Sequence, residues 1–214
     1  MRIGTWDVSA VTDMSRMFMQ ATAFAGEGLR CDTLPSLALS YRPKHRSPTL
    51  RLPVAIPRSA VSSWDVSSVT SMDSMFHTCT SFNGDLSNWT VSSALTKMGP
   101  MFYKNYLFNS NLSRWDTSSV TDMSYAFRSC TVFNGDVSTW DTSSVTSMLE
   151  LFYLAPAFNQ DLSGWDVSAV TDMTRMFSHA TAFAGEGLRC DTLPSLALSY
   201  TAHLSYTAHL AHRR

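Results

Sequence analysis

The sequence predicts an α/β repeat solenoid, with one short parallel strand and one short helical turn in each coil of about 25 residues. Three observations carry this. Tryptophan recurs at Trp6, Trp64, Trp89, Trp115, Trp140 and Trp165, with steps of 25, 26, 25 and 25 from Trp64 onward. Twelve residues after the Trp comes Phe18, Phe76, Phe127, Phe152 or Phe177, and one residue later in the longer unit comes Phe102. A second Phe follows six residues on, at Phe24, Phe82, Phe108, Phe133, Phe158 and Phe183.

The helical turn is read from Met72, Met75, Phe76 and Cys79, which stand at i, i+3, i+4 and i+7 and form one apolar stripe. Thr70 is placed to cap it. The strand is read from Phe82 to Trp89, FNGDLSNW, opened by an Asn-Gly turn, with fellows at Phe133 and Phe158. Between them Asp65-Val66-Ser67-Ser68 reads as a turn, because Asp and Ser side chains bond local backbone amides. A single unit cannot bury its Trp, Met and two Phe, so equivalent residues are expected to stack as a Trp column, a Met column and two Phe columns.

The run WDVSSVTSMDSMFHTCTSFNGDLSNW resembles the repeat of about 26 residues found in BspA-like proteins, including mycoplasma-type lipoproteins and listerial surface proteins. The resemblance covers 61–187 and 3–24. It implies a leucine-rich-repeat-like solenoid and a surface or secreted binding role, and it brings no catalytic motif with it. The N-terminal MRIGTWDVSA shows no signal-peptide core and no lipoprotein Cys. It reads either as a cytosolic start or as the point where an upstream part is missing.

Four segments follow. Residues 3–24 form an isolated repeat unit. Residues 25–60 are a degenerate repeat and a Pro-rich basic linker, with four Pro within 42–60. Residues 61–190 form a solenoid of about five coils. Residues 191–214 are a low-complexity tail in which LSYTAH occurs twice. Residues 6–41 and 165–200 are near copies, differing at Ser15/Thr174, Met19/Ser178 and Gln20/His179.

Net charge is −1 and only 15% of residues are charged, so no field attracts nucleic acid. No apolar run reaches the roughly 18 residues a membrane helix needs. Cys79 and Cys130 share one place in the unit and are expected to be buried, unbridged contacts two coils apart. Cys31 and Cys190 stand where Trp is expected in a degraded unit. Two aspartate ladders, Asp65, Asp116, Asp141, Asp166 and Asp85, Asp136, Asp161, are read as turn caps rather than calcium ligands. Asn83, Asn109, Asn134 and Asn159 are read as a buried ladder bonding neighbouring backbone. His203, His209 and His212 in the tail lack metal-ligand spacing. His77 and His179 are the only histidines inside the array, and no G-x-S-x-G, P-loop or dinucleotide fingerprint accompanies them.

No enzyme, cofactor or metal is therefore expected. The predicted function is a non-catalytic surface-type module for binding or adhesion to protein or glycan, with end-to-end self-association through uncapped coils. The alternative is a structural or vestigial repeat fragment without a ligand. An exposed aromatic patch on one face would favour binding, whereas a uniformly Ser/Thr surface would favour the fragment.

Overall fold

Every described unit but the third, which carries Thr90 there, opens with an aspartate that bends the chain. Oδ1 of Asp65 accepts from Ser67 N–H at 3.0 Å and from Ser67 O–H at 2.6 Å, and Asp7, Asp116 and Asp141 repeat the pattern with Ser9, Ser118 and Ser143. Behind that turn the Val69 amide closes onto Val66 O, and then Thr70 leaves the turn to meet the preceding unit. The computed structural model describes residues 6–21 and 61–185. These residues form a stack of units, joined by parallel bridges in the order Asp13, Ser71, Lys97, Asp122, Ser147 and Asp172.

The α/β expectation is overturned. Among the described residues there is no helix and no continuous strand, only turns and isolated bridges. The apolar stripe is real, with Met72, Met75, Phe76 and Cys79 all fully buried. The backbone beneath it is a chain of overlapping turns. Met75 N–H bonds Met72 O, His77 N–H bonds Ser74 O, and Cys79 N–H bonds Phe76 O. The alternate amides point to the next unit: Met72 to Lys97 O, Phe76 to Met101 O, and Thr78 to Tyr103 O. An α-helix would spend all of these on i−4 carbonyls. Turns three residues long reproduce the helical side-chain spacing while freeing every second amide for the stack.

That geometry needs left-handed residues. Positive φ recurs two and six residues after the Met, as at Ser74 (56°) and Thr78 (61°), Tyr125 and Ser129 (both 61°), and Glu150 (50°) and Leu154 (54°). Each costs an L-residue roughly 1–2 kcal/mol, offset at Thr78, Tyr125, Ser129, Glu150 and Leu154 by an amide bond to the next unit. In the third unit Pro100 takes the first of these places. Its ring fixes φ near −65°, and only Lys104 remains left-handed there.

The strand expected from Phe82 to Trp89 is absent for a different reason. Side chains bridge the units in place of a backbone ladder, a competition that Ser and Asn are suited to win. Leu86 N–H donates to Ser110 Oγ, and the amides of Asn134, Asn159 and Ala184 donate to Oδ1 of Asn109, Asn134 and Asn159. Those three asparagines are exposed, so this ladder lies on the surface instead of in the core. Thr70 does not cap a helix. Its amide and Oγ1 both donate to Thr12 O, and Thr96, Thr146 and Thr171 do the same to the threonine one unit before.

The core is the expected set of columns. Successive Trp rings stack at 6.0–6.4 Å. The first Phe column repeats at 5.4–5.8 Å and the second at 5.7–6.2 Å. Trp89, Trp140 and Trp165 also donate Nε1–H to the Val61, Leu112 and Val137 carbonyls of the preceding unit. Trp115, which follows the one longer unit, buries its Nε1 without a partner.

The sequence marks residues 3–24 as an isolated unit. Their described part, 6–21, is bonded to the unit after residue 61: Met14, Arg16, Phe18 and Gln20 donate to Ser71, Asp73, Met75 and His77 carbonyls.

Candidate interaction surface

The five residues after the first Phe turn a corner of the stack. In the second unit they are His77-Thr78-Cys79-Thr80-Ser81, and in the sixth Ser178-His179-Ala180-Thr181-Ala182. The middle units differ: Tyr103-Lys104-Asn105-Tyr106-Leu107, Arg128-Ser129-Cys130-Thr131-Val132 and Tyr153-Leu154-Ala155-Pro156-Ala157. The third place in each segment points inward as Cys79, Asn105, Cys130, Ala155 or Ala180, all buried. The other places face outward, apart from the buried Ser129, and there the small hydroxylated residues give way to large ones.

Four exposed large hydrophobics are found among the described residues, and all sit on this corner: Tyr106 (38%), Leu107 (49%), Val132 (41%) and Leu154 (38%). Beside them runs a file of stacked planar groups. His77 lies 4.6 Å from Tyr103, face to face. The Arg128 guanidinium lies 5.3 Å from the Tyr103 centroid, 5.8 Å from that of Tyr125 and 4.9 Å from that of Tyr153. His179 meets Tyr153 edge-on at 5.6 Å. Lys104 Nζ also stands 5.2 Å from the Tyr103 ring. A cation over a ring face is attracted by roughly 0.5–2 kcal/mol.

Glu150 fixes the file from beneath. Its side chain is only 10% exposed and pairs with Arg128 at 2.7 Å and with Arg175 at 3.5 Å. A buried carboxylate needs such partners, and the pair orients the guanidinium between the tyrosines. Burial holds the His77 imidazole below its ordinary pKa, and the nearby Lys104 charge adds to this. His77 Nδ1 lies 2.8 Å from Thr78 Oγ1, and His179 Nδ1 lies 3.0 Å from Ser178 Oγ.

The remaining candidates behave as structural parts. The Ser hydroxyl and amide two residues on hold Asp65, Asp141 and Asp166 below the usual carboxylate pKa, and Asp85, Asp136 and Asp161 cap Ser87, Ser138 and Ser163. Among the described residues no three His, Cys, Asp or Glu side chains converge as a metal site. Cys79 and Cys130 are free and buried, and their thiols donate to Phe18 O and Phe102 O of the preceding units. Burial pushes the Cys79 thiol up to about 12 and Cys130 higher still. Asn105, in the same place, donates its amide NH2 to Phe82 O and Cys79 O. No described helix is long and apolar enough to cross a membrane. Cys31, Cys190, His203, His209, His212, the 42–60 stretch and the 191–214 tail lie outside the described residues.

Sequence reasoning met His77 and His179 only in setting aside a catalytic triad, and missed the file between them. The signal was present as departures from the consensus: Tyr, Lys, Arg and Leu where other units carry Thr, Ser and Ala.

No curated protein and no solved structure matches the chain. One family does, over residues 1–33, 56–104 and 92–190, which is well over half of the sequence. The chain belongs to the family described as Mycoplasma protein of unknown function, DUF285.

Proposed function

We propose that the chain is a non-catalytic binding module of a mycoplasma-type surface repeat protein, and that its partner is a protein, engaged by the corner of the third to fifth units. The observation that carries this is the confinement of all four exposed large hydrophobics to that corner, beside Tyr103, Arg128 and Tyr153. Protein interfaces are enriched in Tyr and Arg at their centres and depleted in Ser and Ala. Elsewhere the outer surface of the described residues is mostly Ser, Thr, Asp and Asn with scattered Lys and Arg, so the corner stands out against it.

A glycan is the less favoured ligand. Sugars stack on free aromatic faces, and those of Tyr103 and Tyr153 are already occupied by His77 and Arg128. What remains outward is ring edges, hydroxyls, the single exposed ring of Tyr106 and the aliphatic Leu107, Val132 and Leu154. The repeat itself supplies a variant built from residues it tolerates: Tyr106→Thr, Leu107→Ala and Val132→Ala. Wild type and variant are screened side by side against a displayed random-peptide library and a glycan array. Peptide binding that the variant loses supports the proposal. Glycan binding that the variant loses, with no peptide binding, overturns it.

Association of copies end to end is a second reading. The described units join through equivalent backbone bonds, Met14 to Ser71 O, Met72 to Lys97 O, Met123 to Ser147 O and Met148 to Asp172 O, so one unit offers another the same partners. Sedimentation that stays monomeric across concentration would dismiss it.

A further inference from the structure

We infer that the partner segment is an acidic, apolar-containing extended peptide, an inference that rests on the protein-binding reading above. The five corner segments, 77–81, 103–107, 128–132, 153–157 and 178–182, contain Lys104, Arg128 and two histidines and not one Asp or Glu. The chain has 17 acidic residues in all, and the repeat places its aspartates in the turns elsewhere. Two acids approach the corner. Glu150 is already shared by Arg128 and Arg175. Asp73 lies near His77, at one end of the file. Lys104 makes no ion pair among the described residues and rests over the Tyr103 ring. The strip is therefore a cationic surface flanked by exposed Tyr106, Leu107, Val132 and Leu154. Complementarity asks for carboxylates interleaved with apolar side chains, because like charges facing each other are costly while opposite ones guide encounter and register.

The dimensions fit an extended peptide. At about 4.8 Å per unit, the four steps from His77 to Ser178 span roughly 19 Å. An extended chain rises about 3.3 Å per residue, so about six residues would track the file.

The test uses the full chain and three fluorescein-labelled peptides of about twelve residues. All carry Leu and Phe at alternate positions, and the intervening positions are Glu, Gln or Lys. The Glu peptide is expected to bind about 3-fold tighter than its Gln twin, as one exposed ion pair to Lys104 gives, and the Lys twin weakest. Its affinity should fall with added salt. Lys104→Glu should erase the preference for Glu, with unchanged Trp fluorescence reporting an intact stack. Equal binding of the Glu and Gln peptides, lost in the Tyr106→Thr/Leu107→Ala variant, would overturn the acidic preference while leaving the protein-binding reading intact. If no peptide, synthetic or library-selected, binds in a way that depends on the corner, both fall.

Discussion

Ser129 decides between the turn chain and the helix it replaces. It sits at φ 61°, is 8% exposed, and donates its amide to Tyr153 O at 2.7 Å. An L-residue in that conformation costs roughly 1–2 kcal/mol. Glycine removes the strain and returns roughly 0.5–1 kcal/mol in extra chain entropy. The net expectation for Ser129→Gly is a gain of about 0.5–1 kcal/mol. Ser129→Ala keeps the Cβ and the strain, so it gains nothing. A helix over 123–130 would invert the order, because Ala is better than Gly inside a helix by roughly 0.8–1 kcal/mol. The assay is equilibrium urea unfolding followed by Trp fluorescence. At an m-value near 2 kcal/mol/M the expected gain moves the midpoint upward by about 0.25–0.5 M. An alanine variant with a higher midpoint than the glycine variant would refute the turn chain.

Phe127→Ala should cost about 3–5 kcal/mol in the same urea experiment, because the ring is fully buried between Phe102 at 5.4 Å and Phe152 at 5.5 Å; a wild-type midpoint would sink the core assignment. Gly135→Ala should lose at least about 1–3 kcal/mol, since the new Cβ would fall on Ser110 O and within 2.9 Å of Phe133, whereas Gly164→Ala, with Ser138 O at 3.3 Å, should be milder by thermal melting. Acid should weaken the stack in two steps. His77 has a folded pKa below its ordinary 6.5, so its contribution is full above that value and fades as pH falls below it; the turn aspartates, depressed below 3.8, keep theirs until pH falls through that value. Urea midpoints measured across pH should show both steps, and His77→Gln should remove only the upper one.

The columns were legible because a core residue announces itself by type and period. Trp, Met and the two Phe recur at fixed offsets, and each described one lies where its offset put it. The backbone was not legible, because i, i+3, i+4, i+7 spacing is shared by a helix and by overlapping turns whose left-handed residues are ordinary Ser, Thr, Tyr and Glu. No glycine marks those positions, and a single sequence does not show that alternate amides leave for the next unit. Asn134 illustrates the same limit: its bond to the neighbouring amide was foreseen, its exposure was not. The corner was half legible. Units that replace Thr and Ser by Tyr103, Arg128 and Tyr153 stand out by eye, but their assembly into one file depends on stacking in register, which only the structure supplies.

The stack also explains how a long break in the repeat is accommodated. Ala21 and Val61 are 40 residues apart in sequence, yet they occupy the places that Cys79 and Leu86 occupy in the next unit, seven residues apart. Trp64 N–H bonds Val61 O as Trp89 N–H bonds Leu86 O, and Trp89 Nε1 reaches Val61 O as Trp165 reaches Val137 O. A unit in such an array needs only its neighbours' ladder and ring contacts, so its stability is close to a sum of local terms. Residues 22–60 should therefore be replaceable by the six residues 80–85 of the next unit without disturbing the stack. Closing the shorter loop costs less entropy, by roughly (3/2)RT times the logarithm of the length ratio, about 1.5 kcal/mol. The shortened chain should then melt at or above the temperature of the full one, and a protease should leave its 6–185 counterpart intact. Unfolding of the shortened chain would mean that the first unit is held by residues 22–60 and not by its bonds to Ser71, Asp73, Met75 and His77.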